Sequence, residues 1–391
     1  MAHTISRRAM LGTAAATYLA GPAVAQSIKP KSPLALTIVD VAGNLALTQK
    51  AFENYRRAKP EMVSRFTFSK APAPELPAKL RAQQAANRVD IDLVLTGTDA
   101  LAAGIEQKIW AEMLPVHSAG LPNLQSILLE PAMRMQGLAQ NQAVVISYYP
   151  SGPLLEYMPD KIKTAPSTAE ELLAFTKANP NRFMYARPAN SGPGRTFLMG
   201  LPYILGDANP KDPIGGWDKT WSFLKALDDG IEYYPTGTGA TMKELGEGSR
   251  DMIVSTTGWD INPRVLGIVP KEAKIATLKG FHWVVDAHYA AVPKGLDPER
   301  MAVLLDVISF LLTPAQQAYA YDEGYFYPGP AVKDVPLSSA PAESQAAIKE
   351  FGRPEYDKLI ADVPTEMPLD ADKMVQAFRR WDEQIGAKKT K

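Results

Sequence analysis

Between residues 34 and 95, strand-like and helix-like periodicities alternate, and this alternation limits the chain to few architectures. Leu34–Val39 (LALTIV) is a short apolar run closed by the turn residues Asp40-Val-Ala-Gly-Asn44, the pattern of a buried strand. Leu47, Ala51, Phe52 and Tyr55 then recur at helical spacing within Leu45–Arg57. Arg65–Ser69 (RFTFS) alternates as a strand does, and Leu76–Asn87 reads as a helix with Leu80 inward. Asp92–Leu95 (DLVL) is another buried strand, ending at Thr96-Gly-Thr-Asp99. Strand, helix, strand, helix, strand predicts an α/β fold with a doubly wound sheet and right-handed crossovers.

The pattern resumes further on. Ala143–Tyr149 (AVVISYY) predicts a strand leaving the first sheet, Ser167 with Glu170 predicts a capped helix start, and Phe183–Ala186 predicts a strand. In the stretch 229–260 we expect a strand at Ile231–Tyr234, a Gly-rich turn, a helix at Ala240–Gly246 and a strand at Asp251–Ser255. A small-residue loop, Thr256–Asp260, closes it. Phe281–Val292 reads as a strong strand, Pro298–Leu312 as a long helix, and Ala342–Lys388 as a helical tail. In open sheets ligands sit beyond the carboxyl ends of strands, where glycine lets main chain approach and helix N-termini attract oxygen.

The chain of 391 residues is long enough for two domains. Lys plus Arg equals Asp plus Glu at 42 each, so no net field draws it to nucleic acid or an anionic membrane. The absence of cysteine excludes disulfides, thiolate metal sites and a cysteine nucleophile. Four histidines (His3, His117, His282, His288) and no HExxH argue against a zinc hydrolase, and no G-x-S-x-G elbow is present. No metal and no cofactor is expected. Ser6-Arg7-Arg8-Ala9-Met10-Leu11, an apolar run to Ala20 and Ala23-Val24-Ala25 predict a twin-arginine signal peptide over residues 1–25. No later run is long and apolar enough to span a bilayer, so the exported chain is not expected to be membrane-embedded.

Several segments together carry a family resemblance. Glu75-Leu-Pro-Ala-Lys-Leu-Arg-Ala-Gln-Gln84 with Val89–Val94, Asn141-Gln142 with Val144–Tyr149, and Pro166–Leu172 resemble the extracellular solute-binding proteins of ABC importers. So do Val292–Gly295, Phe310–Gln317 and Gly324-Tyr-Phe-Tyr-Pro-Gly329. The resemblance implies two α/β lobes joined by hinge strands and closing on a ligand. Residues 34–147 plus 287–322 would form lobe one, and 148–286 plus 323–388 lobe two, with the last helices packed on lobe two. It also implies a periplasmic monomer that binds a small molecule and hands it to an ABC permease and its ATPase. The rivals are a secreted enzyme on the same fold and a sensor subunit.

Candidate ligand residues follow from the strand ends. Lobe one offers Asp40, Asn44, Thr96, Thr98 and Asp99, although Asp, Asn and Thr there also suit helix capping. Tyr148 and Tyr149 could stack on a ligand, but one must point away because strand side chains alternate, and Tyr148 is the expected ligand residue. Lobe two offers Ser191, Gly192, Gly237, Thr238 and Gly239, then Trp259 with Asp260 as an aromatic–carboxylate pair for a cation. Trp283 and Asp286 sit in the return strand, where polyamine binders of the resembled family place a Trp and an acid; His288 reads as a packed hinge residue. Helix starts favour a carboxylate, acids with aromatics favour an amine. The combined expectation is a small organic nitrogen compound, polyamine-like or thiamine-like.

Overall fold

The computed structural model describes residues 29–72, 75–386 and 389. The twin-arginine pattern and its cleavage sequence lie outside the described residues. Among the described residues there are ten strands. They are β1 (Leu34–Asp40), β2 (Val63–Lys70), β3 (Leu93–Thr96), β4 (Ala143–Gly152) and β5 (Leu154–Tyr157), then β6 (Phe183–Met184), β7 (Met252–Ser255), β8 (Lys274–Ala276), β9 (Trp283–Ala291) and β10 (Thr365–Glu366).

The first sheet has the order β10-β9-β3-β1-β2, with β4 also paired to β9. β1 is parallel to both neighbours, Ile38 lying opposite Phe68 and Leu93. Helix Leu45–Ala58 crosses this sheet and buries Leu47, Ala51, Phe52 and Tyr55, the stripe its spacing predicts. Phe52 meets Phe66 and Phe68 edge-on at 5.2 and 5.7 Å. Each such buried side chain contributes about 1.5–3 kcal/mol. The second sheet has the order β6-β7-β5-β8, with β5 antiparallel to β7 and β8. The two sheets, each flanked by helices, form two lobes.

β4 and β9 connect the lobes. They pair antiparallel, Tyr149 opposite Asp286, and every residue of both strands is buried. Pro153 alone separates β4 from β5, so the chain passes from the first sheet to the second almost without a loop. Among the described residues no single helix is long and apolar enough to cross a membrane.

Four expectations are corrected. Ile231–Tyr234 is not a strand: the Tyr234 N–H donates to the Lys389 carbonyl at 2.8 Å and its ring packs on Trp381, so the C-terminal segment claims this backbone. Residues 256–260 are not a loop, because helix Thr257–Val265 begins there. The capping box at 167–170 is shifted by one residue. Thr168 is the N-cap, accepting from the Glu171 N–H at 3.2 Å, while the Glu171 carboxylate accepts from the Ser167 N–H at 2.7 Å. Helix Ala342–Phe351 does pack on the second lobe, but helix Ala371–Gln384 also lies against helix Thr98–Glu106 of the first. Trp381 anchors it to the other lobe, donating to the Tyr185 hydroxyl at 3.0 Å.

Candidate functional site

Five helices begin at the interface between the lobes: Leu45–Ala58, Thr98–Glu106, Gly192–Leu205, Thr238–Gly246 and Thr257–Val265. Three of them follow directly from β1, β3 and β7, as expected for ligand loops at the carboxyl ends of parallel strands. Gly43, Gly97, Gly192, Thr238 and Trp259, one from each start, line a cavity of about 230 Å³. The positive ends of five helix dipoles therefore converge on it. Tyr149, His288, Tyr325 and Phe326 supply its aromatic wall with Trp259. Trp259 meets Tyr325 edge-on at 5.3 Å, and Tyr325 and Phe326 lie 4.0 Å apart.

The charged groups form one cluster. Asp286 on β9 accepts from Thr98 Oγ1 at 2.6 Å, from the Tyr149 hydroxyl at 2.7 Å and from Arg195 Nη2. Burial pushes its carboxyl upward, but Arg195, His288 and these hydrogen bonds outweigh burial and hold it below the usual carboxylate range. Arg195, one helical turn after Ser191, also faces Asp99 at 3.2 Å. Burial opposes its charge, and Asp286 and Asp99 together keep it firmly protonated. Asp99 keeps 14% side-chain exposure against 1% for Asp286, so Asp99 is the carboxylate presented to the cavity. Burial raises its pKa, and Arg195 and the Ala100 N–H offset this only in part.

His288 is pulled down to about 4, chiefly by burial, so it is neutral at pH 7. Its Nδ1 lies 3.1 Å from Asn44 Nδ2, an amide donor, which leaves the ring proton on Nε2. Two carboxylates against one guanidinium give the cluster an excess negative charge. Ser191, at the start of the helix that carries Arg195, and Thr238 face each other across 2.7 Å and offer hydroxyls.

Of the residues expected at the site, Asp99, Ser191, Gly192, Thr238 and Trp259 line the cavity. Asp286 and Asn44 stand one hydrogen bond behind it, through Tyr149 and His288, and Thr98 stands one further, bonded to Asp286. Asp40 instead accepts the main-chain N–H groups of Ala42, Asn44 and Leu45, each at 3.0 Å, and so shapes the first helix start. Thr96 turns its hydroxyl to the Gly97 carbonyl. Gly237 caps its helix, and Gly239 lines an outer cavity at the cleft mouth.

Three placements overturn expectation. Tyr149 faces the cavity and Tyr148 the other way, since strand side chains alternate. Asp260 is fully buried in the second lobe, bound by Arg264, Arg353 at 2.6 Å and Tyr356 at 2.7 Å. Arg264 lies four residues on in the same helix, but Arg353 and Tyr356 come from the C-terminal tail, which local sequence does not reveal. Trp283 is buried under helix Glu355–Asp362, its indole N–H donating to the Leu359 carbonyl at 3.1 Å. Sequence reasoning missed Arg195, although it follows Ser191 by four residues on a helix, and it missed Tyr325 and Phe326. It also read His288 as a packed hinge residue only, whereas His288 lines the cavity.

A family model described as bacterial extracellular solute-binding protein matches residues 50–350. No curated protein sequence matches. Among solved structures, a periplasmic thiamin binding protein is similar with a TM-score of 0.63 and 17% identity, over 90% of this chain and 97% of the other. The spermidine/putrescine ABC transporter substrate-binding protein PotD from Streptococcus pneumoniae gives 0.58 and 11%, over 89% and 99%. The periplasmic binding protein AfuA from Actinobacillus pleuropneumoniae, with fructose-6-phosphate bound, gives 0.62 and 14%, over 91% and 99%. These identities establish a shared two-lobed fold.

Proposed function

We propose, from the premise that this chain belongs to the bacterial extracellular solute-binding family, that it captures a small organic solute carrying a cationic nitrogen. The observation that carries this reading is the enclosed cluster of Asp99 and Asp286 against the single Arg195, walled by Trp259, Tyr149, Tyr325 and Phe326. An ammonium or charged ring placed there gains a carboxylate and aromatic faces together. The helix starts and the Ser191–Thr238 hydroxyls suit a polar or acidic group on the same molecule. Polyamine-like and thiamine-like compounds meet the first requirement.

In this reading lobe one is 34–147 plus 287–322, and lobe two is 148–286 plus 323–388. The chain works as an exported, periplasmic monomer that delivers solute to an ABC permease and its ATPase. Capture rather than catalysis is supported by the state of His288, whose Nδ1 is taken by Asn44. Ser191 is likewise engaged by Thr238 and the Gly194 N–H, so among the described residues no Ser–His–acid relay is assembled in the cavity. A sensor role would use the same site; an adjacent permease and ATPase gene pair decides for transport.

The test is a thermal-shift and calorimetric panel on the chain from Gln26 onward. It includes putrescine, spermidine, thiamine, amino acids, sugar phosphates, dicarboxylates and ferric ion. A cationic nitrogen compound should raise Tm, since a ligand of the native state stabilises it by mass action. Stabilisation by a sugar phosphate or dicarboxylate, with none by any amine, would overturn the reading.

A further inference from the structure

Asp99 also lines a second cavity, of about 350 Å³, which has no other residue in common with the first. Ala100, Ala103 and Ala189 line one side of it, the floor, and the last helix lines the other, the roof, with Val375 and Phe378 and with the charged residues Arg379, Asp382 and Glu383. The space exists because the floor positions carry only methyl groups. The roof packs on helix Thr98–Glu106 of the first lobe and is anchored to the second. Met374, Ala377 and Trp381 are buried, Trp381 donates to Tyr185, and Arg187 grips Asp382 at 2.8 Å. This roof lies after residue 350, beyond the segment matched by the family model.

We propose that this chamber receives an apolar arm of the captured solute, and that the last helix thereby sets specificity. The solute class is an amine whose nitrogen sits at Asp99 and whose alkyl or aryl group runs past that carboxylate beneath Val375 and Phe378. The placement of the nitrogen rests on the function proposed above; the apolar chamber rests on its own lining. Burial against alanine, valine and phenylalanine favours a methylene chain by area, while Arg379, Asp382 and Glu383 keep the rest of the lining polar.

The experiment is isothermal titration of the chain from Gln26 with n-alkylammonium chlorides from methyl to octyl, and with the n-alkanols of matching length. Affinity should climb about fourfold per added methylene until the chamber is full. Ala103→Leu fills the floor and Val375→Phe the roof; either should flatten the series while leaving methylammonium binding as in the parent. Two fillers on different elements guard against one failing to fold, which thermal melting reports. If affinity in the parent is independent of chain length in both series, or if neither series binds, the chamber proposal is wrong. A slope that survives in both folded fillers also overturns it. If alkanols show the slope and its loss on filling while ammonium ions gain nothing over them, the chamber stands and the cation reading falls.

Discussion

Replacing Asp99 by Asn separates binding from folding, because the carboxylate serves the two in opposite directions. A cation about 4 Å from this carboxylate has a gross attraction of about 4 kcal/mol at an effective dielectric constant near 20. Desolvation reduces the net value to that of a charge-assisted hydrogen bond, about 1.5–3 kcal/mol. The solute selected by the panel should therefore bind Asp99→Asn about 10- to 150-fold more weakly by calorimetry. Folding moves the other way. Burial raises the Asp99 pKa above its unfolded value, so the ionised group costs stability at neutral pH, and this cost fades as pH falls through the folded value. Asn carries no such cost, and Arg195 keeps Asp286 as its partner. The ligand-free variant should melt at or above the parent temperature at pH 7. A variant that binds within twofold of the parent would refute the role of Asp99, and a large fall in ligand-free Tm would refute the electrostatic account.

Other outcomes follow from the same geometry. Trp259→Ala removes a wall shared by the inner and outer cavities; loss of about 2 kcal/mol of cation–π attraction should weaken binding about 30-fold, mostly through a faster off-rate in stopped-flow fluorescence. Asp260→Ala strands Arg264 and Arg353 in the second lobe; denaturant unfolding should show a loss of about 3–5 kcal/mol, with solute affinity of the folded fraction little changed. Glu156 is buried with neither carboxylate oxygen hydrogen-bonded among the described residues, and burial, aided by Asp260, pushes it up to about 8. Its folded pKa lies above the unfolded one, so it makes stability fall as pH rises between about 4.3 and 8. Glu156→Gln should flatten that slope in melting curves taken across pH; an unchanged slope would disprove the assignment.

The first lobe was legible because its elements obey local rules. Leu47, Ala51, Phe52 and Tyr55 mark the buried face of their helix, and the predicted β1–β3 appear within a residue or two of their predicted bounds. Asp99, the second residue of the helix that follows β3, reaches the cavity by the same local rule, whereas Thr238 reaches it with no strand before it. Legibility failed where long-range contacts decide. Tyr234 has strand character but hydrogen-bonds to Lys389, Asp260 looks like a ligand carboxylate but meets Arg353, and Trp283 lies beneath Leu359. All three partners come from the tail beyond residue 350. No periodicity in one segment announces which distant segment will cover it.

The paired crossing of β4 and β9 has a mechanical consequence. Two neighbouring ribbons, hydrogen-bonded over most of their length and shielded from water, resist shear and torsion far better than two separate tethers. Any relative travel of the halves would have to bend at the short junctions at Pro153 and the start of β9, and would work against the last helix, which touches both lobes. Bulkier guests would then be met by a wider jaw angle above an unchanging floor, with Tyr149 and His288 as fixed reference points beneath the guest.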